Sequence, residues 1–264
     1  MRLLCLGDVV GGAGRRAIAA LVPRLREERR IDFVVANGEN LAGGIGVTGP
    51  TAQELFDAGV DALTGGNHTW KHKEVLPFLE REPRMLRPLN YPPGAPGRGV
   101  AVFQTPLGPV GVVSLLGRIF MEPVDCPFRG ANTALSELAG RARVVIIDMH
   151  CEATSEKRAM GWHVDGRATV VFGTHTHVPT ADEEILPGGT AYVTDLGMTG
   201  PYRSIIGMRK EQVLDKFIGM RPVSFQPAKE DVQLRGIIVE CDPETGRASA
   251  IERLKIAYAA PAAE

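Results

Sequence analysis

VVFGTHTHVPT, residues 170–180, sets two of the chain's six histidines at the end of an apolar run. In an extended segment side chains two apart share a face, so His175 and His177 are expected to point one way while Thr174 and Thr176 point the other. Upstream, RVVIIDMH (143–150) repeats the design of an apolar strand with a polar end. Further out, LLCLGDVV (3–10), DFVVANGEN (32–40) and DALTGGN (61–67) do the same, with helical patterns at RRAIAALVPRLREERR (15–30) and TAQELFDAG (51–59) between them. That βαβαβ rhythm predicts a largely parallel sheet with helices on its faces.

The middle of the chain reads differently. GVAVFQTPLGPVGVVSLLG (99–117) predicts an antiparallel hairpin around a Pro/Gly turn, and RPLNYPPGAPGRG (87–99) a surface crossover. GGTAYVTDLG (188–197) reads as a strand, EQVLDKFIG (211–219) as a helix, and VQLRGIIVECDPETGRASAIERLKIAY (232–258) as strands and hairpins that call for a second sheet. The expected fold is α/β: two packed sheets flanked by helices (α/β/β/α), a single domain over residues 1–264 with a frayed AAPAAE tail.

Composition bounds the function. The chain has 264 residues, 44% of them apolar, which suffices for a substantial core, and a formal net charge of −1, which gives no indication of a duplex nucleic acid partner. Asp8 interrupts the only apolar start, and no membrane-length run follows, so a cytoplasmic protein without a membrane partner is expected. Cys5, Cys126, Cys151 and Cys241 form no CxxC pair, which disfavours a structural zinc site and a disulfide framework. Homo-oligomerisation is left open.

Open α/β sheets bind ligands beyond the carboxyl ends of their strands. Those ends here carry Asp8, Glu39, Asn40, Asn67, His68, Asp148, His150, His175 and His177. Oxygen and imidazole donors without thiolates suit manganese, iron or zinc, and so many donors suggest two ions. A carboxylate shared between two ions at roughly 3.5–4 Å is the arrangement of two-metal phosphoester hydrolysis.

GDVVG (7–11), NGEN (37–40), GNH (66–68), His150 and GTHTH (173–177) together resemble, in order and across most of the chain, the calcineurin-like metallophosphoesterases. Within them the chain is similar to the YmdB-like bacterial phosphodiesterases. The general superfamily pattern has a D-x-H pair and a bridging aspartate; here Val9 and Val10 follow Asp8, and NGEN stands at the bridge. The YmdB-like branch accounts for both departures.

The resemblance implies two divalent metal ions, iron or manganese first and zinc second. It implies Asp8, Asn40 and His177 as ligands of one ion, Asn67, His150 and His175 as ligands of the other, and Glu39 shared. It implies a small phosphodiester as substrate, most of all a 2′,3′-cyclic nucleotide, attacked in line by a metal-bridging hydroxide. His68 takes the place of the histidine that serves the leaving group.

Other readings are weighed beside this one. GAGRRA (12–17) fits the loose dinucleotide fingerprint of an oxidoreductase, but Asp32 precedes the second strand instead of ending it. DMHCE (148–152) resembles a dinuclear amidohydrolase or ureohydrolase motif, which would need further paired aspartates. A regulatory nucleotide-binding protein of low turnover would keep the same ligands. NLAGGIGVTGP (40–50) is expected either to approach a phosphate or to act as a lid. Asp148 is expected either to fix the His150 tautomer or to be purely structural; His72 and His163 are expected to make ordinary contacts, Cys151 to be inert, and RLREERR (24–30) to be a solvated helix face.

Overall fold

RLLCLGDV forms the first strand, β1 (Arg2–Val9), and is buried from Leu3 onward because both its faces are covered. Leu3 and Cys5 face a second sheet, while Leu4 and Leu6 face helices. In this computed structural model, which describes residues 1–259, β1 leads into α1 (Gly11–Glu28), β2 (Phe33–Asn37), α2 (Gly49–Asp57) and β3 (Ala62–Thr64). A 3-10 turn and α3 (Leu76–Arg81) precede β4 (Val100–Phe103) and β5 (Val110–Leu116). Then follow α4 (Pro127–Leu138), β6 (Val144–His150), α5 (Thr154–Val164), β7 (Val170–Thr174), β8 (Glu184–Ile185) and β9 (Ala191–Val193). The chain continues through β10 (Met198–Pro201), α6 (Lys210–Gly219), β11 (Val232–Cys241) and β12 (Ala248–Tyr258). The AAPAAE tail, apart from Ala259, lies outside the described residues.

Two six-stranded sheets form, in the orders β12-β11-β10-β1-β2-β3 and β4-β5-β6-β7-β9-β8. Between them lies a core that includes Leu3, Phe33, Val35, Val112, Ile146, Val170, Phe172 and Ile237. Ile18, Val22 and Leu55 of α1 and α2 cover the first sheet, and Ala131, Leu138, Met160 and Val164 of α4 and α5 cover the second. The α/β/β/α expectation holds. Each fully buried aliphatic side chain in these layers contributes about 1.5–3 kcal/mol of transfer free energy.

The membership of the sheets differs from the simplest reading. The carboxy-terminal hairpin does not build the second sheet; β11 pairs antiparallel with β1 from Arg2↔Glu240 to Leu6↔Gly236 and so extends the first. The second sheet comes from the middle of the chain, β4 to β9, including the expected hairpin of β4 and β5. The edge strand β12 exposes Glu252, Arg253 and Lys255, charges that discourage pairing with another sheet.

Helix α5 carries too little apolar periodicity to stand out in sequence, whereas α4 keeps a helical period at Pro127, Ala131, Ala134 and Leu138, small residues for the most part. On α5 the buried positions include Glu156, Lys157 and Gly161, and Gly161 packs against the Tyr192 ring. Strand β10 is equally inconspicuous, since MTGP is a strand because Asp8 and Val9 of β1 lie on one side of it and Val232 and Gln233 of β11 on the other. No helix among the described residues is long and apolar enough to cross a membrane.

Candidate metal centre

Strands β1, β2, β3, β6 and β7 run parallel within their sheets and finish at one end of the sandwich. Asp8 sits near the end of β1, Glu39 and Asn40 just beyond β2, Asn67 and His68 beyond β3, His150 at the last position of β6, and His175 and His177 beyond β7. All eight converge.

Two groups of contacts can be distinguished. In one, Asn40 Nδ2 lies 3.2 Å from His177 Nε2, and His177 Nε2 lies 3.7 Å from Asp8 Oδ1. In the other, His150 Nε2 lies 3.1 Å from Asn67 Oδ1 and 3.1 Å from His175 Nδ1. Glu39 Oε1 joins them, accepting from Asn40 Nδ2 at 3.1 Å and lying 3.3 Å from His150 Nε2. His68 donates its backbone N–H to Glu39 Oε2 at 2.8 Å, and its Nδ1 lies 2.9 Å from Asn40 Oδ1. Its Nε2 has no partner among the described residues.

The paired imidazoles of HTH are aimed by a different geometry from the one expected. Strand β7 ends at Thr174, so alternation along a strand does not aim them. His175 and His177 both adopt left-handed backbone, φ 94° and 64°, which is uncommon for residues with a Cβ and marks a constrained turn. A buried ion pair beneath holds that turn. Lys157 Nζ donates to Asp195 Oδ2 at 2.6 Å, and the same oxygen accepts from the Thr176 hydroxyl at 2.8 Å.

Each imidazole is oriented from behind. His177 Nδ1 donates to the Ile206 carbonyl at 2.8 Å, which leaves Nε2 facing Asp8. The Thr174 hydroxyl donates to Asp148 Oδ1 at 2.6 Å, so it accepts from His150 Nδ1 at 2.8 Å and turns Nε2 inward. Asp148 is thus linked to His150 through Thr174, with Thr64 and Asn37 donating to its other oxygen. His175 Nε2 lies 3.2 Å from Glu152 Oε2, which leaves Nδ1 for the interior.

Sequence reasoning missed the roles of Thr174, Thr64, Asn37 and Glu152: a threonine inside an apolar run reads as ordinary strand composition, and Asn37 and Glu152 meet Asp148 and His175 only through the fold. Gly66 is required by space: a Cβ there would come within 2.3 Å of Glu39 Oε2 and 2.4 Å of His150 Nε2.

The electrostatics call for a cation. Asp8 Oδ1 is buried without a hydrogen-bond partner among the described residues, and burial pushes the Asp8 carboxyl up despite His177 and His150. Glu39 is held well below the usual carboxylate range: burial opposes this, and His150 and His68 outweigh it. Burial also opposes charge on His150, yet Glu39, Asp8 and Asp148 push it up to about 9. His175, desolvated and facing His150, is pushed down to about 3 and stays neutral. A proton between His150 and its neighbours occupies a position that a metal ion could take. Atoms of Glu39, His150 and His175 lie within 4.8 Å of one another, close enough to share one ion.

The other residues singled out in the sequence can be placed as well. Residues 41–46 are tied down by Ala42 N–H to Gly46 O at 2.8 Å and by His72 Nε2, 3.0 Å from the Ile45 carbonyl. His163 contacts Asn132 at the surface. Burial pushes the Cys151 thiol up to about 12, consistent with an inert thiol. Asp32 accepts from the Arg2 backbone N–H at 2.7 Å, at the start of β2 and away from the strand ends, which disposes of the dinucleotide reading.

Comparison with known proteins agrees with this architecture. Residues 4–254 match the family described as YmdB-like protein, and the chain belongs to that family. It is 45% identical over 256 residues to a 2′,3′-cyclic-nucleotide 2′-phosphodiesterase of Bacillus subtilis, covering 97% of each chain. It is 36% identical to a putative phosphatase/phosphodiesterase of Mycoplasma pneumoniae, covering 97% of this chain and 93% of that one. Among solved structures, a hypothetical protein from Thermus thermophilus superposes with a TM-score of 0.91 at 44% identity, covering 97% of this chain and 99% of the other.

Proposed function

We propose that the protein is a metal-dependent phosphodiesterase that hydrolyses 2′,3′-cyclic nucleotides. The observation that carries this reading is the cluster of buried Asp8, Glu39 and His150 with half-buried His175, which directs an unpartnered carboxylate oxygen and imidazole nitrogens inward. The activity printed for the Bacillus subtilis relative supports the choice of substrate.

Asp8, Asn40 and His177 are assigned to one divalent ion and Asn67, His150 and His175 to a second, with Glu39 between them; iron or manganese suits these donors best. A half-turn of the Asn40 amide would bring Oδ1 to the position now held by Nδ2. Bound cations at such a centre neutralise phosphate charge and make water nucleophilic near neutral pH. Buried Thr174 and Asp148 keep the His150 ring fixed, and Glu152 and the Ile206 carbonyl do so for His175 and His177.

His68 is assigned the leaving group. Its Nδ1 is anchored on Asn40 and Glu39, so Nε2 is free to donate a proton to the departing ribose oxygen as the P–O bond breaks. The surrounding acids hold the ring in place. Such proton transfer contributes about 10²–10⁴-fold.

The test pairs elemental analysis with a substrate panel. Purified protein loaded with Mn or Fe should turn over 2′,3′-cyclic AMP, and Glu39→Gln should lose both metal and turnover. Preference for a C–N substrate would move the protein to the amidohydrolases. Tight nucleotide binding with no turnover, in native and Glu39→Gln protein alike, would make it a regulatory binder.

A further inference from the structure

A cavity of about 460 Å³ opens where the carboxyl end of β5 meets the start of α4. Asn90, in its wall, bonds both the Leu116 N–H and the Leu116 carbonyl, and Leu116 is the register partner of His150. The cavity is thus a neighbour of the metal centre. Nothing in the chemistry described above uses it.

Its lining is built for an anion. Arg87 lines it, is only 6% exposed, and donates Nη1 to the carbonyls of Pro88 and Leu89, both at 2.8 Å. Its Nε has no partner among the described residues. No carboxylate lies within ion-pair distance of Arg87 among those residues, and burial alone pushes its guanidinium down. A buried charge of this kind is ordinarily paired.

Two further features face the same space. Helix α4, 12 residues long, borders the cavity with its N-cap Cys126, which makes no side-chain cap, and with Arg129, Gly130 and Thr133; the Arg129 amide has no acceptor among the described residues. Such an end attracts phosphate through its free N–H groups and its dipole. The Arg129 side chain lines the cavity too, and Asp125 is the single acid in the lining against the two guanidiniums.

Tyr91 connects this cavity to the metal centre. It lines the cavity, and its ring meets Trp70 edge-on with centroids 4.4 Å apart. Trp70 follows His68 by two residues. Burial pushes the Tyr91 phenol up, as does Glu122, which accepts from the Tyr91 hydroxyl at 3.0 Å, and Glu39 adds a smaller push. An aromatic wall beside paired cations fits a nucleoside carrying a phosphate, and the volume lies within the range of about 300–1,000 Å³ typical of ligand sites.

We propose that this cavity is a second binding site, for a nucleotide phosphate, held by Arg87, Arg129 and the first turn of α4. The phosphate has two sources: the preceding nucleotide of an oligoribonucleotide that ends in a cyclic phosphate, or a free nucleotide. Only the choice of source rests on the cyclic-nucleotide reading.

Calorimetry of the metal-loaded protein with 5′-AMP tests the site. Arg129→Ala should weaken AMP binding about tenfold or more, the loss of one charge-assisted contact, and Arg87→Lys should weaken it while keeping the charge and the fold. Asp8→Asn should leave this binding in place. Unchanged affinity in both arginine variants, or loss of binding in Asp8→Asn alone, would overturn the proposal.

The source follows from kinetics. A dinucleotide ending in a 2′,3′-cyclic phosphate should show a KM about tenfold below that of 2′,3′-cyclic AMP, a difference that Arg129→Ala removes, if the substrate's own phosphate fills the cavity. Equal KM values with AMP acting non-competitively would identify the free nucleotide. Absence of turnover on either substrate with AMP binding retained would remove the phosphodiesterase reading and leave the cavity as a nucleotide site.

Discussion

The two sheets make different contributions to the centre. The first supplies oxygen-bearing groups, Asp8, Glu39, Asn40 and Asn67, from the ends of β1, β2 and β3; the second supplies imidazoles, His150, His175 and His177, from β6 and β7. Asp8 and Glu39 need no left-handed backbone, whereas His175 and His177 do. The oxygen half is delivered from the strand ends and the short segments after them, with no left-handed backbone at any of the four residues. The imidazole half depends on a turn that the Lys157–Asp195 pair and neighbouring hydrogen bonds hold in an uncommon conformation. A mixed set of donor groups on opposing sheets also means that the interior packing between them sets the spacing of those groups.

The largest expected effect comes from the oxygen half. Asp8→Asn or Glu39→Gln should lower metal affinity by well over about 100-fold, more than the usual cost of losing a supporting residue, and abolish turnover; elemental analysis and a cyclic AMP assay check both. His68→Ala should reduce kcat by about 10²–10⁴-fold with metal content unchanged, and loss of metal in that variant would contradict its assignment to the leaving group.

Smaller effects sharpen the imidazole side. Thr174→Val removes the hydroxyl between His150 and Asp148 and should cost about 10–100-fold in metal affinity, measured by chelator competition, with little change in fold. Glu152→Gln, on a half-exposed acid, should lie at the low end of that range.

Metal removal affects the whole centre. Stripping the protein with a chelator should lower its melting temperature, by an amount equivalent to about 2.7 kcal/mol where the ion had been present at 100 times its Kd. The sign with pH follows from His150. Its pKa is raised in the metal-free protein, so it carries a proton below about 9 that an arriving ion must displace. Metal binding should therefore release protons and tighten as pH rises from neutrality toward 9, which calorimetry in two buffers of different ionisation enthalpy would detect.

Much of this is legible in the sequence. The apolar runs ending in GD, NGEN, GGNH, DMH and GTHTH announce strands with functional ends, because a strand buried on both faces must be apolar until it reaches solvent or a site. Helix α5 is not legible, since Glu156, Lys157 and Gly161 blur its periodicity, while α4 does carry a helical period at Pro127, Ala131, Ala134 and Leu138. Glu156 is buried because its carboxylate accepts the backbone N–H groups of Arg118 and Ile119, and Lys157 because it pairs with Asp195. These are long-range partners that no local pattern contains.

The sequence by itself determined which residues could bind metal and that they stand at strand ends, because residue chemistry and hydrophobic period are local properties. Tertiary structure alone decided that the carboxy-terminal hairpin joins β1, that left-handed turns aim His175 and His177, that Thr174 carries Asp148's influence to His150, and that Arg87 is buried without a counterion among the described residues. Each of these depends on which distant segment occupies the space beside a residue, and that is fixed only when the two sheets close on their common core.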